Sequence, residues 1–457
     1  MNKSILVLLK ICDGEINPFD AASLEVALGI EDYDVHTLTM GPLSNKHILH
    51  ELTRLEISAH LISDVALAGS DSLVTANVLS EFIKKLSPEI IFAGVKSIDG
   101  DTGQVPPMVA ELLGFDLVSS IVSYDNGIFL TREGKRQTIK NRTIYVFERI
   151  ANLRFPGMFS TRHNIDLVDV EDLEIDKNRV GLLASPTRVI RTHENNENKR
   201  KCEFIEIPRL IELLHNHNQA RKAHKKYTGK KADLIHYVGD IKDIADDYAC
   251  ETKEISYISD ANQFAKSIPE EAKIILFENT IQLKELAARI AAKKQYGLCA
   301  DCTDFSISEQ KFIMTRPACG GDVIADIVSN SPVTLASVAK NSVSNDIVFG
   351  IGCGAIPYID EISLLAKKYS ATLVATRPVI DKGYMDYPRQ VGLTGKMISP
   401  KIYVAFGISG QIQHLVGVAK SDIIVAVNSN INEKVFDFAN FGLALDMEHV
   451  IKEMNKC

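Results

Sequence analysis

The stretch that decides the fold runs from residue 371 to residue 428 and reads ATLVATRPVIDKGYMDYPRQVGLTGKMISPKIYVAFGISGQIQHLVGVAKSDIIVAVN. Apolar segments alternate in it with glycine turns, a pattern typical of buried parallel strands joined by helices. The predicted strand 402–406 leads into the turn 407–410, and a helix is predicted to begin near Gln411. Backbone N–H groups at such a junction point toward the turn, which predicts a phosphate site there.

Three side chains close to this turn can bond to a ring that carries electrons: Arg377, Thr394 and His414. Their spacing predicts that they converge at one edge of a parallel sheet. With their neighbours they resemble the flavin-binding domain of the alpha subunit of electron-transfer flavoproteins. Leu393 and Gln411 depart from the family pattern, which has glutamine and alanine there. The positions that match it are Thr376, Arg377, Pro378, Asp381, Gly383, Tyr384, Gln390, Val391, Gly392, Thr394, Gly395, Lys396, Gly407, Ile408, Ser409, Gly410, Ile412, Gln413, His414 and Asn428.

The resemblance implies a role for these residues toward FAD. Arg377 would raise the first reduction potential of the flavin, because a cation stabilises the added negative charge. Thr394 would bond to the flavin N5, and His414 would donate toward the N1/O2 edge. Taken singly, each residue also has an ordinary explanation as a surface charge, a packing histidine or a simple turn. The other expected cofactor-binding residues are Thr376, Gln390, Val391, Gly392, Gly395, Gly407, Ser409, Gly410, Gln413 and Asn428.

The composition is that of a soluble globular protein with more than one domain. The chain has 457 residues, of which 46% are hydrophobic and 24% charged, and its formal net charge is -8. No apolar run is long enough for a transmembrane segment, and the first residues do not fit a signal peptide, so a cytoplasmic location is expected. The negative net charge argues against nucleic acid as a partner.

The eight cysteines are scattered and are expected to be reduced. Cys299 and Cys302 form a close pair that could be a redox dithiol or half of a metal site. The alternative is an ordinary family segment, because no second pair follows and no histidines stand at ligand spacing. No metal site is therefore expected.

The order of predicted elements indicates an α/β fold with three domains. Strands and helices alternate over the first 114 residues, and a second alternating block begins at Ala232, with strands predicted at 234–238, 254–258 and 274–277. Between the blocks, a polar and then basic stretch predicts a linker or an arm lying on another domain. We therefore expect two doubly wound, nucleotide-binding-like α/β domains and a C-terminal Rossmann-like FAD-binding domain, at residues 1–225, 226–343 and 344–457.

Two further segments extend the resemblance over nearly the whole chain. Residues 17–20, Asn-Pro-Phe-Asp, and the loop 97–105 resemble the beta subunit of the same flavoproteins. The segments 300–303 and 315–321 resemble the N-terminal domain of the alpha subunit. The chain therefore looks like a beta subunit fused to an alpha subunit.

The loop 97–105 follows a buried strand and precedes a helix, as a nucleotide-binding loop does. Its acidic residues, Asp99 and Asp101, could instead cap that helix. The resemblance implies either AMP or a second FAD here, and the upstream residues 68–72 with Thr75 lean toward the second FAD. The residues expected to contact this nucleotide are Asp99, Gly100, Asp101, Thr102, Gln104, Val105 and Arg316.

The segment 151–159 corresponds to a protruding family segment that docks onto a dehydrogenase. Leu153, Met158 and Phe159 are the expected apolar anchors, with core packing as the alternative. The partner implied is an acyl-CoA dehydrogenase-type or other flavin dehydrogenase.

Three functions follow as hypotheses. The first is an FAD-containing electron carrier between a dehydrogenase and another redox partner, with no catalytic residues of its own. The second is an electron-bifurcating flavoprotein that oxidises NADH at a second FAD near Arg316 and involves ferredoxin or flavodoxin. The third is a nucleotide-binding sensor without redox function, which would have no need of the side chains around a flavin ring.

Overall fold

The structure is a computed structural model that describes residues 3–194, 200–216, 229–308, 311–319, 323–338, 346–392, 398–419 and 421–456. The chain forms two compact units: the first comprises residues 1–192, 229–319 and 325–338, and the second comprises 193–228, 320–324 and 339–457. Both units consist mainly of parallel sheets with helices, so the predicted α/β class is confirmed. The division into three domains stays a proposal.

Unit 1 contains a nine-stranded and a five-stranded sheet. In the nine-stranded sheet the first seven strands are parallel and the last two continue as antiparallel hairpins. Its spatial order is Asp166–Val168, Ser58–Ile62, Tyr33–Met40, Lys3–Leu8, Ile90–Gly94, Thr143–Phe147, Asp116–Asp125, Ile128–Thr131 and Arg136–Thr138. The five-stranded sheet is wholly parallel, in the order Ala249–Glu254, Ala232–Val238, Ile274–Glu278, Thr334–Val338 and Gly297–Cys302.

Three helices of unit 1 pack together in one apolar core, which also contains residues of both sheets. The helices Ser72–Leu86 and Val105–Leu113 of the first block share buried contacts with Ile281–Lys294 of the second. Small residues on Ile281–Lys294, mainly alanines, allow this close approach. The other helices of the unit are Pro18–Ala27, Lys46–Leu52, Gly181–Ala184, Lys242–Tyr248 and Ala261–Ser267.

A smaller sheet joins Thr187–Glu194, Val323–Ser329, Lys311–Ala318 and Asp304–Ser308 in that order. Another pairs Ile11–Cys12 with Glu15–Ile16. In the five-stranded sheet, the predicted strand 254–258 is wrong in position, since the strand is Ala249–Glu254. That strand lies at the sheet edge with mostly exposed polar side chains, whereas the apolar Ile255 and Ile258 pack onto the core from beyond its end.

Unit 2 is built on a six-stranded parallel sheet. Its order is Glu203–Phe204, Phe441–Leu443, Ile423–Val427, Ile402–Phe406, Ile347–Ile351 and Thr372–Ala375. The helices are Ile207–His215, Ile359–Lys368, Arg377–Asp381, Ile412–Val418 and Met447–Lys456. The strand Ile402–Phe406 has the predicted bounds, and its five residues are all buried, as is typical of a central strand of a parallel sheet.

The segment predicted as a linker or an arm contributes to unit 2. Glu203–Phe204 adds an edge strand, and the helix Ile207–His215 buries Ile207, Leu210 and Leu214 in the core of the unit. Most of the basic run that follows lies outside the described residues. None of the helices in the described ranges is long and apolar enough to cross a membrane.

Candidate functional sites

The first candidate site lies at the carboxyl edge of the sheet of unit 2, where three adjacent strands end. Val391 N–H donates to the carbonyl of Ala375 over 3.0 Å, which places the segment 390–392 beside the end of Thr372–Ala375. The turn 407–410 follows the strand Ile402–Phe406, and the strand Ile347–Ile351 lies between this strand and Thr372–Ala375. Ligands of open parallel sheets bind in the crevice at this edge. The predicted residues on these segments are therefore brought to one place.

The turn 407–410 is fixed by the backbone around it. Gly407 N–H donates to the carbonyl of Val427 over 2.9 Å, and the carbonyl of Gly407 accepts from Gly354 N–H over 3.1 Å. The side-chain amide of Asn428 donates to the carbonyl of Ile408 over 3.1 Å. A Cβ on Gly410 would lie 2.1 Å from the backbone nitrogen of Val435. Asn428 and the glycines therefore hold the shape of the turn.

The predicted flavin-site residues divide into exposed and buried ones. Ser409 and Gln413 are exposed and Arg377 is half-buried, so these side chains can reach a ligand. Thr376, Gln390, Val391, Gly392, Gly410 and His414 are buried. Thr394 and Gly395 lie outside the described residues.

Arg377 begins the helix Arg377–Asp381 and is ion-paired within it. Its Nε lies 3.2 Å from a carboxylate oxygen of Asp381, and the side chain is 26% exposed. A cation already paired with a carboxylate exerts a weaker field on its surroundings than an isolated one. Arg377 thus lies just after the carboxyl end of the strand Thr372–Ala375, with part of its charge compensated.

His414 is bonded within the protein through both ring nitrogens. Its Nε2 lies 2.7 Å from the hydroxyl of Tyr403, and its Nδ1 lies 3.0 Å from the carbonyl oxygen of Val391. Burial lowers the pKa of His414 to about 4, against the opposing effect of the Val391 carbonyl. His414 is therefore a neutral ring at neutral pH, and its partners in the structure are protein groups.

The second candidate site is a cavity of about 1080 Å³ in unit 1. Its wall combines the ends of the strands Lys3–Leu8, Tyr33–Met40 and Ile90–Gly94 with residues 298–300 and Arg316. The volume lies just above the usual range for small-molecule sites, roughly 300–1,000 Å³. Of the residues predicted from the loop 97–105, those that line the cavity are Gly100, Thr102, Gln104 and Val105.

The two aspartates of the loop are ion-paired and do not cap the following helix. Asp99 lies 2.7 Å from Nζ of Lys10, and Asp101 lies 2.5 Å from Nζ of Lys96. The helix Val105–Leu113 begins after Gln104 without a side-chain cap. The capping alternative is therefore wrong, and neither aspartate is among the residues that line the cavity.

Arg316 lines the cavity, and part of its guanidinium group makes no hydrogen bond within the described residues. The side chain is 5% exposed, and its Nη1 donates to the carbonyl of Gly100 over 2.8 Å. Its Nε and Nη2 have no hydrogen-bond partner among the described residues. Buried guanidinium N–H groups normally find acceptors, and a phosphate or another anionic group would supply them. The cavity thus suits an anionic ligand.

Two groups of cavity residues are not among the contacts predicted from the sequence. Asp20 accepts hydrogen bonds from the backbone nitrogens of Lys10 and Gly94 over 2.8 and 2.9 Å, and burial raises its pKa to about 6. Through these two bonds Asp20 links the ends of the adjacent strands Lys3–Leu8 and Ile90–Gly94 at the cavity. Ser70, Asp71, Ser72 and Thr75 form the second group, at the start of the helix Ser72–Leu86. Both groups fall in segments that carry the resemblance, which was the available signal.

The Cys299 and Cys302 pair does not have the properties of a redox dithiol. Both thiols are free and buried, and Cys302 Sγ donates to the carbonyl of Cys299 over 3.4 Å. Burial raises the pKa of Cys302 well above its ordinary value, which disfavours the reactive thiolate. Within the described ranges, no cluster of three or more histidine, cysteine or acidic side chains could hold a metal ion.

The predicted docking segment presents three exposed apolar side chains. Phe155, Met158 and Phe159 are 95%, 86% and 93% exposed. Leu153 is half-buried and packs against the core, so we remove it from the docking set and Phe155 takes its place. Arg54 donates to the carbonyl of Gly157 over 3.2 Å and helps hold the segment in position.

Two family models match this chain. Residues 5–166 and 256–364 match the family model described as the electron transfer flavoprotein domain. Residues 343–419 match the model described as the electron transfer flavoprotein FAD-binding domain. The matched ranges therefore include the segments 390–392 and 407–410 of unit 2.

Among curated proteins, the chain is 32% identical over 302 residues to the electron transfer flavoprotein subunit alpha of Thermoanaerobacterium thermosaccharolyticum, a match that covers 53% of this chain and 90% of that protein. It is 28% identical over 266 residues to the subunit alpha of Bacillus subtilis, covering 48% and 80%. It is also 28% identical over 217 residues to the LctC subunit of a lactate dehydrogenase (NAD(+),ferredoxin) of Acetobacterium woodii, covering 37% and 52%. The chain belongs to the electron transfer flavoprotein alpha-subunit family and carries that family's FAD-binding domain.

Proposed function

We propose that this protein is an electron carrier that accepts electrons from a flavin dehydrogenase through FAD in unit 2 and passes them to a second redox partner. The observation that carries the proposal is the convergence of the segments 390–392 and 407–410 at one sheet edge, within the range matched to an FAD-binding domain. FAD would supply the redox chemistry. The protein would bind it through the turn, with Ser409, Gln413 and Arg377 able to reach it. A cytoplasmic location belongs to the same proposal.

We expect the Arg377→Gln variant to have a lower first reduction potential than the wild type. Removing one cation near a solvated ring withdraws roughly 1 kcal/mol of stabilisation, or roughly 40 mV for one electron. The effect is modest because Asp381 already compensates part of the charge. Stepwise reductive titration of the FAD-loaded protein measures it. Arg389→Gln removes an exposed arginine of the same unit and serves as the control. Equal potentials in both variants would remove Arg377 from the flavin site.

We also propose that the first part of the chain is a beta-subunit-like domain and that the cavity of unit 1 holds a second nucleotide, either AMP or FAD. The unpartnered N–H groups of Arg316 support an anionic ligand, and the volume of about 1080 Å³ is compatible with either nucleotide. A second FAD would make the protein an electron-bifurcating flavoenzyme that oxidises NADH, with ferredoxin or flavodoxin as the acceptor. This is the second candidate function.

The identity and amount of nucleotide released on heat denaturation separate these functions. Two FAD per chain support the bifurcating enzyme, and one FAD with one AMP supports the simple carrier. The absence of flavin from protein purified in the presence of FAD would overturn both. Anaerobic addition of NADH gives an independent test, since it should bleach the flavin absorbance of a bifurcating protein and leave that of a simple carrier nearly unchanged.

We expect Arg316→Met to reduce nucleotide binding in unit 1 about tenfold to hundredfold, since bonds to a charged group contribute roughly 1.5–3 kcal/mol each. The stability of the nucleotide-free protein should change little. The variant loses the bond to Gly100 but also removes two unpartnered buried N–H groups. Isothermal titration with AMP and with FAD measures the affinity. Arg191→Met, which breaks a bond to Asp326 by an arginine outside the cavity wall, is the control. Unchanged affinity in Arg316→Met would take Arg316 out of the site.

For the partner, we propose that Phe155, Met158 and Phe159 dock into an apolar depression of a flavin dehydrogenase. Their exposure while the backbone is held by Arg54 supports this role, because a fixed apolar segment loses little entropy on binding. A Phe159→Ser variant should reduce electron transfer from the dehydrogenase and leave the chemical reduction of the flavin unchanged. Loss of both would point to a folding defect. Leu364→Ser, at an exposed apolar residue outside the cavity wall, is the control.

A further inference from the structure

A buried tyrosine of unit 2 is bonded to His414. Tyr403 belongs to the strand Ile402–Phe406 and is fully buried. Its hydroxyl lies 2.7 Å from Nε2 of His414, and Nδ1 of the same ring lies 3.0 Å from the carbonyl oxygen of Val391. The three groups form a chain from the middle of the sheet to the segment 390–392.

The partners decide which nitrogen of His414 carries the proton. A carbonyl oxygen only accepts, so Nδ1 must donate to Val391. The ring is neutral at neutral pH, since burial lowers its pKa to about 4. Nε2 therefore has a lone pair and accepts a hydrogen bond from the Tyr403 hydroxyl. The Val391 carbonyl thus selects the Nδ1-protonated form of the ring, and the Tyr403 hydroxyl, which can donate or accept, holds the other nitrogen in place.

The helix that carries His414 also holds the chain on both sides of residues 393–397. His414 bonds to the carbonyl of Val391, and Ile398 N–H donates to the carbonyl of Gly417 over 2.8 Å. A Cβ on Gly417 would lie 2.5 Å from the backbone nitrogen of Gly392, so the helix and the segment are in close contact. A change in the orientation of His414 would therefore move the segment 390–392.

The Tyr403 hydroxyl has space in the sheet because residue 350, on the adjacent strand, is a glycine. Gly350 lies on the adjacent strand Ile347–Ile351, and a Cβ there would lie 1.7 Å from the hydroxyl oxygen of Tyr403. Any residue other than glycine at position 350 would displace the Tyr403 hydroxyl. The position of this hydroxyl is thus fixed from the strand side and from the His414 side.

We propose that Tyr403 is a positioning residue of the flavin site: its hydroxyl holds Nε2 and thereby the orientation of His414, and through His414 the place of the main chain at Val391. The inference rests on the proposed binding of FAD by unit 2. Tyr403 itself is buried beneath this site, so it acts through His414.

The test is Tyr403→Phe, which keeps the ring and removes the hydroxyl. In wild-type protein labelled with ¹⁵N-histidine, His414 is expected to show one form, protonated at Nδ1, at pH 7. The variant should keep the ring protonated at Nδ1 and shift the Nε2 signal, because this nitrogen loses its donor. It should bind FAD about tenfold more weakly, because the ring and the main chain at Val391 are held less firmly. The His414 signals are assigned by their absence in His414→Gln.

Tyr145→Phe is the matched control, since it removes a buried hydroxyl in unit 1 that donates to the carbonyl of Thr138 over 2.9 Å. It should leave the His414 signals and the FAD affinity unchanged. A wild-type ring protonated at Nε2 would overturn the inference without any variant. A Tyr403→Phe protein with an altered ring but the FAD affinity of the control would also overturn it. Wild-type protein that binds no FAD would contradict the proposed function instead, while the ¹⁵N spectrum would still test the bond.

Discussion

Gly407→Ala is expected to lower the free energy of unfolding of unit 2 by about 2–5 kcal/mol and to yield protein without bound FAD, because left-handed strain and overpacking add at this position. Gly407 has a φ of +61°, and a Cβ would lie 2.4 Å from the backbone nitrogen of Ala355. Its own N–H and carbonyl are bonded to Val427 and Gly354, so the backbone cannot move away without losing these bonds. The measurements are urea unfolding followed by hydrogen exchange in peptides from residues 402–428, and flavin absorbance after purification.

Gly383→Ala separates the two causes of this effect. Gly383 also has a positive φ, +78°, but no atom lies within 4 Å of the added Cβ. The variant should therefore lose only about 1 kcal/mol, the cost of an alanine in the left-handed region. If both variants were destabilised equally, crowding around the turn would have no part in its stability, and the turn would be less rigid than the contacts indicate.

Acidification is expected to destabilise unit 2 through His414. The folded-state pKa is about 4 and the ordinary value is 6.5, so between these values the unfolded chain binds more protons than the folded one. The stabilisation is complete above pH 6.5 and is lost as the pH falls toward 4. The shift corresponds to about 3 kcal/mol between pH 7 and pH 4.

The measurement compares the free energy of unfolding of unit 2 at these two pH values in the wild type and in His414→Gln. The wild type should lose about 3 kcal/mol more than the variant, because glutamine does not titrate. His449→Gln, at an exposed histidine of the same unit, should follow the wild type. Equal losses in all three proteins would mean that His414 takes up a proton without cost, and hence that its ring is accessible to water.

The sequence predicts most of what depends on local pattern. The strand Ile402–Phe406, the turn after it and the α/β class follow from apolar runs and glycines, which are properties of neighbouring residues. The strand at 249–254 could not be placed, because its polar residues lie on a sheet edge and carry no apolar period. Leu153 and Phe155 could not be distinguished, since both are apolar and only the tertiary contacts of Leu153 bury it.

The site in unit 1 shows a second limit of prediction from sequence. The aspartates of the loop looked like caps because the helix follows them closely, but Asp99 is paired with Lys10, 89 residues earlier. Arg316 reaches Gly100 across 216 residues. The resemblance predicts that His414 donates toward a flavin, whereas its bond to Tyr403 depends on how a strand and a helix pack. Such partners depend on the tertiary structure, and the spacing of residues along the sequence does not indicate them.

The residues that line the cavity of unit 1 are spread along the chain from Leu8 to Arg316 and Ile327, so the cavity is completed late in protein synthesis. A ribosome adds roughly 5–20 residues per second, so about 15–60 s separate the emergence of the first wall residue from that of the last. During this interval the apolar faces of the helices Ser72–Leu86 and Val105–Leu113 lack the partner helix Ile281–Lys294. The nascent chain is therefore expected to bind a chaperone until residue 294 has emerged, and selective profiling of chaperone-bound ribosomes would show release only after that point.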